Sequence, residues 1–360
     1  MELKQTPLAQ IHQDSGARMV PFAGYEMPLR YSSVVEEHLN VREKVGVFDV
    51  SHMGEFLISG PQALALVQKT TSNDASVLEV GQAQYSCLPN ENGGIIDDLL
   101  VYRLDHDRYM TVVNASNIDK DWNWLTRNNS MEAKIENISE STALLAVQGP
   151  LASQALQPLT SVSLGSINFY RFTIGEFAGI QEVVISATGY TGAGGFELYV
   201  PAVHASTVWK AVMEAGEPFG IKPIGLGARD TLRLEKGYCL YGNDINDHTT
   251  PFEAGLGWIT KFTKHFIGSE SLQAQKEKGI SKKLVGFVMV DRGIPRKDYR
   301  ILDRLGDPVG VVTSGSQSPC LEKGIGLGYV PKRLAAADNE IFIEIRNKSV
   351  KAITKKLPLV

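Results

Sequence analysis

The stretch Gly93-Gly94-Ile95-Ile96-Asp97-Asp98-Leu99-Leu100-Val101-Tyr102 joins a glycine turn to an apolar strand. Glycine pairs are typical of turns, and the apolar run that follows has the length and the β-branched and aromatic content of a strand. Because neighbouring strand residues point to opposite faces, one aspartate is expected to face outward and the other to face the interior or a cleft. The segment alone is equally compatible with catalysis and with a structural aspartate paired with a buried arginine.

On both sides of this stretch, short β-branched runs alternate irregularly with segments of helical periodicity. The strand candidates are Phe56–Ser59, Tyr109–Val113 and Val183–Ser186, and the helix candidates are Pro61–Thr70, Ile118–Asn128 and Ala202–Gly216. The regular strand–helix alternation of a doubly wound sheet is missing, so the predicted fold class is α+β. From about Leu284 the pattern changes to strands broken by glycine and proline, which predicts a separate β-rich domain that begins near Gly279.

Size and charge set limits on function. The chain has 360 residues, 43% of them hydrophobic, which is enough for two or three domains. With 36 basic and 40 acidic residues the net charge is −4, so nucleic acid is not an expected partner. The last forty residues carry eight basic and four acidic side chains, a local charge of +4. A solvated basic surface explains this excess, and so does a docking face for an acidic partner or a polyanionic ligand tail.

Cysteine and histidine usage predicts a cytoplasmic protein without a metal. Cys87, Cys239 and Cys320 are isolated and odd in number, which argues against disulfides and zinc and suits a reducing compartment. No H-x-x-x-H or H-E-x-x-H spacing occurs, so no catalytic metal is expected. Ser51 and His52 lack a G-x-S-x-G context, which makes a hydrolase triad a poor interpretation. We expect no signal peptide and no membrane span, because no run approaches about 18 apolar residues.

A second segment, Thr188-Gly189-Tyr190-Thr191-Gly192-Ala193-Gly194-Gly195-Phe196-Glu197-Leu198-Tyr199-Val200, places a glycine-rich loop directly before an alternating strand. Phe196, Leu198 and Val200 are predicted to share one face, which leaves Glu197 and Tyr199 on the other. A carboxylate there can accept paired hydrogen bonds from a flat heterocycle, but the segment taken alone favours a solvent-facing glutamate. The loop lacks the Lys-Ser/Thr of a P-loop, so nucleotide binding is not expected.

A third segment, Gly225-Leu226-Gly227-Ala228-Arg229-Asp230-Thr231-Leu232-Arg233-Leu234-Glu235, places Arg229 and Arg233 one turn apart if it is helical. Asp230 is not expected to share their face, so their partners should come from elsewhere. These partners are acidic side chains in a structural role or a ligand anion in a functional one. The G-x-G here and the repeat Gly324-Ile325-Gly326-Leu327-Gly328 lack the setting of a dinucleotide site and are predicted to be turns.

Taken together, the motifs resemble the T-protein of the glycine cleavage system. The resemblance extends from Gln5-Thr6-Pro7-Leu8 to Ile345-Arg346, nearly the whole chain, and the motifs match in order and spacing. They are Phe48–Met53, Gly93–Tyr102, Val112–Ala115, Ala146–Pro150, Thr188–Glu197 and Gly225–Glu235.

This resemblance implies a three-domain folate-binding aminomethyltransferase fold around a central channel. Residues 1–54 and 136–278 are expected to form a discontinuous first domain that carries the folate-binding motifs. Residues 55–135 are expected to form an inserted ferredoxin-like domain, and residues 279–360 a C-terminal β-barrel.

The resemblance also implies the reaction. T-proteins take the aminomethyl group carried by the dihydrolipoyl arm of H-protein and pass its carbon to tetrahydrofolate, which yields 5,10-methylenetetrahydrofolate and ammonia. Asp97 is the expected catalytic carboxylate, and Glu197 and Arg229 match the positions that hold the pterin. Further matches to positions near the ligand are Met53, Tyr85, Asn114, Tyr190, Trp258 and Arg296. Tetrahydrofolate as co-substrate, lipoylated H-protein as partner and glycine catabolism as the process follow from the same resemblance.

Three departures from the family pattern occur. The loop after Thr191 lacks an acidic residue, the chain ends without an aromatic-containing tail, and Lys236-Gly237-Tyr238-Cys239 is unusual. The last segment is similar to the Lys-Gly-Cys motif of folate-binding proteins that support iron–sulfur cluster maintenance. The alternative function is therefore a folate-binding accessory factor, and a related one is a folate-coupled demethylase.

Overall fold

The computed structural model describes residues 3–360 and confirms the α+β class. Its helices, in chain order, are α1 (Ala9–Asp14), α2 (Val34–Glu43), α3 (Ala63–Thr70), α4 (Ile118–Asn128), α5 (Ala152–Leu156), α6 (Ala205–Gly216), α7 (Leu226–Lys236) and α8 (Ser269–Lys278). The three predicted helical segments therefore correspond to α3, α4 and α6. No helix within residues 3–360 has the length and apolar character that crossing a membrane requires.

The strands account for most of the remaining regular structure. In chain order they are β1 (Lys4–Gln5), β2 (Arg18–Phe22), β3 (Tyr25–Arg30), β4 (Gly46–Asp49), β5 (Gly54–Ser59), β6 (Gln82–Pro89), β7 (Ile95–Asp105), β8 (Arg108–Val113), β9 (Lys134–Asn137), β10 (Thr142–Gln148), β11 (Phe172–Phe177), β12 (Ile180–Ser186), β13 (Gly195–Pro201), β14 (Lys222–Pro223), β15 (Lys282–Met289), β16 (Arg300–Leu302), β17 (Pro308–Gln317), β18 (Gly324–Pro331), β19 (Glu340–Ile345) and β20 (Lys348–Lys355).

The described chain divides into two compact units. The first contains the chain up to Gln68 together with Ala75–Tyr85 and Leu99–Arg229, and the second contains Lys69–Asp74, Ser86–Asp98 and Asp230–Val360. Strands β6 and β7 each contribute residues to both units. The three-domain boundaries after residues 54, 135 and 278 stay a prediction.

The core of the first unit lies on a six-stranded sheet of order β11-β12-β13-β10-β4-β14. Strand β10 is buried almost throughout because it pairs with β13 on one side and β4 on the other. Helix α6 packs its apolar stripe, Ala205, Val208, Trp209 and Val212, into this core. The central position of β13 thereby fixes the direction of every side chain that it carries.

Two further sheets contribute to the first unit. A three-stranded sheet has the order β1-β3-β2, and a five-stranded sheet has the order β6-β7-β8-β5-β9. On the five-stranded sheet, Glu55 pairs with Val112, which pairs with Leu100 of β7. Because side chains alternate along a strand, Tyr102 lies on the same face as Leu100 and hence on the face of Glu55.

The second unit contains a closed six-stranded barrel of order β15-β18-β17-β16-β19-β20. Its interior is apolar, with Phe287, Ile301, Val312, Ile341 and Ile343 fully buried. The β-rich C-terminal region predicted from about Leu284 is thus confirmed as a barrel, in which closure leaves no sheet edge exposed.

The two glycine repeats are not turns, so that prediction was wrong. Gly324, Gly326 and Gly328 lie in β18, where a Cβ at Gly326 would stand 2.4 Å from Phe287 Cζ. Gly225 immediately precedes α7 and Gly227 lies in its first turn, and a Cβ at Gly225 would stand 2.3 Å from the Leu29 carbonyl oxygen. Close packing, rather than turn geometry, requires glycine at these positions.

Candidate functional site

The side chains of strand β13 alternate between two faces, as predicted. Phe196, Leu198 and Val200 enter the apolar core, whereas Glu197 and Tyr199 lie on the opposite face. Glu197 is half-buried and engaged by a neighbouring hydroxyl, so the simple solvent-facing interpretation is wrong. The glycine-rich loop and the strand together hold a carboxylate in a defined direction.

A chain of buried hydroxyl groups leads to Glu197. The Thr188 hydroxyl donates to Glu197 Oε2 at 2.5 Å and lies 3.1 Å from the Tyr102 hydroxyl. The Tyr102 hydroxyl lies 3.0 Å from that of Tyr199 and accepts from Ser186 Oγ at 3.3 Å. Ser186 Oγ also lies 2.9 Å from Thr188 Oγ1. We refer to Ser186, Thr188, Tyr102 and Tyr199 as the hydroxyl cluster.

Helix α7 supplies the positive charge of the site. The Arg229 guanidinium carbon lies 4.4 Å from the centre of the Tyr190 ring, within the range of a cation–π contact. The charge of Arg229 also acts on Glu197. The structure therefore brings together Tyr190, Glu197 and Arg229, three of the residues predicted to bind the ligand.

Burial is the largest cause of the pKa shifts of Glu197 and His52. Burial raises the pKa of Glu197 above its ordinary value, and the Thr188 hydrogen bond and the Arg229 charge oppose that rise. Burial, assisted by the Arg229 charge, lowers the pKa of His52 to about 4. His52 is consequently a neutral imidazole at physiological pH, packed edge-on against Phe22 and Tyr25.

Three further predicted ligand contacts lie in the first unit. Met53 follows a turn in which its N–H donates to the Val50 carbonyl, and its side chain is half-buried. Tyr85 on β6 and Asn114 after β8 are half-buried as well. Partial burial leaves each of them enough surface to contact a ligand.

The predicted catalytic aspartate lies in the second unit, near the beginning of β7. The Asp97 side chain is fully buried, whereas the neighbouring Asp98 is half-buried. This difference confirms that the two carboxylates face different environments. Burial and the charges of Asp98, Cys239 and Asp97 raise the pKa of the Cys87 thiol well above its ordinary value, which identifies an acidic neighbourhood around this strand end.

The remaining predicted contacts, Trp258 and Arg296, are exposed residues of the second unit. Trp258 lies in a short 3-10 turn with 59% of its surface accessible. Arg296 Nη1 donates to the Gly315 carbonyl at 3.4 Å. Both side chains are accessible to a ligand.

Arg233 has a structural environment that differs from the prediction. Its side chain is 1% exposed, and Nη1 donates to Asp244 Oδ2 at 2.7 Å. The expectation that Asp230 would not share its face was wrong, because Nη2 and Nε both donate to Asp230 Oδ1. The spacing of three residues places the two side chains on adjacent turns of α7, and the long arginine reaches back to the carboxylate.

The unusual segment Lys236–Cys239 also has a structural explanation. Gly237 follows the last residue of α7 with φ of +72°, the left-handed conformation in which helices commonly end. Cys239 is buried, and burial together with nearby carboxylates raises the pKa of its thiol well above the ordinary value. A thiol in this environment is a poor nucleophile and a poor metal ligand.

The hydroxyl cluster contains residues to which the sequence assigned no role. The sequence predicts only that Tyr199 shares a face with Glu197 and that Tyr102 lies in a strand. The available signal was the polar residues at Ser186 and Thr188 in an otherwise apolar strand end.

Comparison with known proteins gives a consistent result along the chain. A family model described as the GCVT N-terminal domain matches residues 8–264, and one described as the glycine cleavage T-protein C-terminal barrel domain matches residues 282–360. A protein of Flavobacterium psychrophilum named aminomethyltransferase is 58% identical over 356 residues, which is 99% of each chain. A Bacteroides thetaiotaomicron protein of the same name is 57% identical over 358 residues, again 99% of each.

A solved structure is also similar. The crystal structure of the glycine cleavage system aminomethyltransferase T from Bartonella henselae has 35% sequence identity and a TM-score of 0.93. The match covers 99% of this chain and 98% of that chain.

Proposed function

This chain belongs to the glycine cleavage T-protein family and is an aminomethyltransferase, and we propose that its one-carbon acceptor is tetrahydrofolate and its aminomethyl donor is lipoylated H-protein. In this reaction the methylene carbon leaves the sulfur of the dihydrolipoyl arm and the amino nitrogen. It forms bonds to two nitrogens of tetrahydrofolate, the amino group departs as ammonia, and the arm regains its thiol.

The observation that carries the proposal is the setting of Glu197. A pterin presents a ring N–H and an exocyclic amino group side by side, and a carboxylate is the side chain that accepts both. Thr188 fixes Glu197 by donating to Oε2, and Arg229 provides a nearby positive charge. We propose that Glu197 and Arg229 hold the pterin and that Tyr190, which packs against Arg229, helps to orient it.

Asp97 is proposed as the catalytic carboxylate. Breaking a carbon–nitrogen or carbon–sulfur bond at the methylene develops iminium-like positive charge and requires proton transfers. A carboxylate stabilises such charge and relays protons, and full burial keeps water from weakening its effect. Asp97 would also orient the folate near its reacting nitrogens.

The other predicted contacts remain part of the proposal. Met53, Tyr85 and Asn114 supply packing and polar contacts, and the exposed Trp258 and Arg296 supply a stacking surface and a cation. The excess of basic residues in the last forty positions favours an acidic H-protein or the glutamate tail of folate.

The accessory-factor alternative is not favoured. It depends on Cys239, whose buried thiol has a raised pKa, and on Gly237, which ends a helix. We also propose a cytoplasmic location, because Cys87, Cys239 and Cys320 are not joined in disulfides, as a reducing compartment favours.

The deciding experiment measures ammonia release from aminomethyl-loaded H-protein, with and without tetrahydrofolate. We expect folate-dependent release from the unmodified protein. In Asp97→Asn we expect a rate lower by about 10²-fold or more, with folate binding retained, because a preorganised charge is lost from the reacting centre. If the unmodified protein binds folate but releases no ammonia from loaded H-protein, the proposed donor is wrong.

A further inference from the structure

The hydroxyl cluster has a defined direction of hydrogen bonding. Thr188 gives its single hydroxyl proton to Glu197 Oε2, so toward Tyr102 and Ser186 its oxygen can only accept, and the single proton of Ser186 is shared between Thr188 at 2.9 Å and Tyr102 at 3.3 Å. The Tyr102 hydroxyl must then donate to Thr188 and accept from Tyr199. Each proton therefore points toward Glu197, along the order Tyr199, Tyr102, Thr188, Glu197.

The donors in this chain keep their protons. Burial raises the pKa of Tyr102, and burial raises that of Tyr199 well above its ordinary value. Both phenols therefore remain donors throughout the physiological range. The side chains of Tyr102 and Ser186 are fully buried and Tyr199 is nearly so, which excludes competition from bulk water.

The titratable and charged groups that face Glu197 come from several elements. Arg229 faces it from α7 and Tyr102 from β7, and Tyr199 lies beside it on β13. Glu55 on β5 acts on Tyr199, and burial raises the pKa of Glu55 well above its ordinary value. Arg229 therefore carries the positive charge that acts on the Glu197 carboxylate.

We propose that Thr188, backed by Tyr102 and Tyr199, is a positioning residue that holds Glu197 as a hydrogen-bond acceptor toward the pterin of folate. This inference rests on the proposed function for the identity of the ligand. Thr188 fixes the rotamer of Glu197 through Oε2 and directs Oε1 to the ligand. Loss of the Thr188 donor would release the rotamer and favour the protonated carboxyl, which accepts ligand N–H groups less well.

The first test reads the protonation of Glu197 in the folate-free protein. The carbonyl stretch of a protonated carboxyl group is followed by infrared spectroscopy during a pH titration, and the Glu197 band is assigned by its loss in Glu197→Gln. We expect the midpoint to move to higher pH in Thr188→Val, because a hydrogen bond to the charged form has been removed. Thr188→Ser retains the donor and should titrate like the unmodified protein. Equal midpoints in Thr188→Val and the unmodified protein would overturn the proposal.

The second test follows tetrahydrofolate binding across the same pH range under anaerobic conditions. In Thr188→Val, affinity should fall at a higher pH than in the unmodified protein, and Tyr102→Phe should shift the profile in the same direction by less. A uniform loss of affinity at every pH, without a shift of the profile, indicates a merely structural role and contradicts the proposal. If Thr188→Val does not fold, the shift of the pH profile of tetrahydrofolate binding in Tyr102→Phe tests the proposal instead.

The two proposals fail in different ways. If the infrared midpoint shifts but the unmodified protein does not bind tetrahydrofolate, the hydroxyl cluster controls Glu197 and the proposed acceptor is wrong. If tetrahydrofolate binds and ammonia is released but neither Thr188→Val nor Tyr102→Phe changes a pH profile, the proposed function stands and the positioning role falls.

Discussion

Two arginines on α7, one helical turn apart, have opposite surroundings. Arg233 is 1% exposed and is neutralised by the buried Asp244 and the half-exposed Asp230, with Ser314 accepting a further bond. Arg229 packs over the Tyr190 ring, and its charge acts on Glu197 and His52. The two arginines lie on the same helix, so their different surroundings arise entirely from the elements packed against each of them.

The comparison shows two ways of accommodating polar groups inside one protein. Around Arg233 the charges are paired and hydrogen-bonded, which is what a buried ion requires. Around Arg229, burial disfavours the charged form of His52 and lowers its pKa to about 4, and burial likewise raises the pKa of Glu55 elsewhere in the same unit. The charge of Arg229 acts in this setting on Glu197 and His52.

Removal of Arg233 should have the largest effect. Arg233→Met leaves the Asp244 carboxylate buried without its cation, which typically costs about 3–5 kcal/mol. The free energy of unfolding, measured by urea denaturation, should fall by that amount. Asp230→Asn is the matched control and should cost less than about 1 kcal/mol, because Asp230 is half-exposed. If Arg233→Met lowers the free energy of unfolding by no more than Asp230→Asn does, Arg233 becomes a candidate ligand contact.

Removal of Arg229 should affect binding rather than stability. Interactions with charged groups contribute about 1.5–3 kcal/mol, so Arg229→Met should raise the Kd for tetrahydrofolate by roughly 10- to 100-fold. The free energy of unfolding should change by about 1 kcal/mol or less. Arg229→Lys keeps the charge but loses the planar guanidinium, so we expect an intermediate Kd. If Arg229→Met lowers the free energy of unfolding but leaves the Kd of the folded protein for tetrahydrofolate unchanged, Arg229 has a structural role like that of Arg233.

Acid should destabilise the region of Arg229 before it affects paired carboxylates. The folded-state pKa of His52 is about 4, below its unfolded value near 6.5. Its contribution to stability is therefore complete above pH 6.5 and is lost as pH falls from 6.5 to 4, at about 1.4 kcal/mol per pH unit. Stability curves measured across this range should lose that slope in His52→Gln. An unchanged slope would show that the folded protein does not lower the pKa of His52.

Replacement of Glu55 should have the smallest effect when it is measured in acid. At about pH 4 the carboxyl group is largely protonated in the folded protein, because burial raises its pKa well above the ordinary value, so Glu55→Gln exchanges one neutral group for another of similar shape. We expect a change of about 1 kcal/mol or less at that pH, measured by thermal unfolding. The contribution of Glu55 is complete below its unfolded pKa and is lost as the pH rises from there toward its folded pKa, so the unmodified protein should lose stability relative to Glu55→Gln across that window. The same pH dependence in both proteins would show that the folded protein does not raise the pKa of Glu55.

Much of the secondary structure follows from local patterns. Helices α4 and α6 and the alternation along β13 were predicted because a period of 3.6 or 2 residues is visible in the sequence. The pattern also predicted that Asp97 and Asp98 would differ in environment. The glycine repeat of β18 was mistaken for turns, because the backbone approaches that require glycine there come from other strands of the barrel.

The sequence by itself determined the fold class, the β-rich C-terminal region and the pairing of Glu197 with Tyr199 on one strand face, all of which depend on residues near each other in the chain. Only the tertiary structure decided that Tyr102 reaches Thr188, 86 positions away, and that Arg233 is buried whereas Arg229 acts on Glu197. The physical reason is that burial and hydrogen bonding, which set these proton and charge states, are properties of packed elements and not of any single segment.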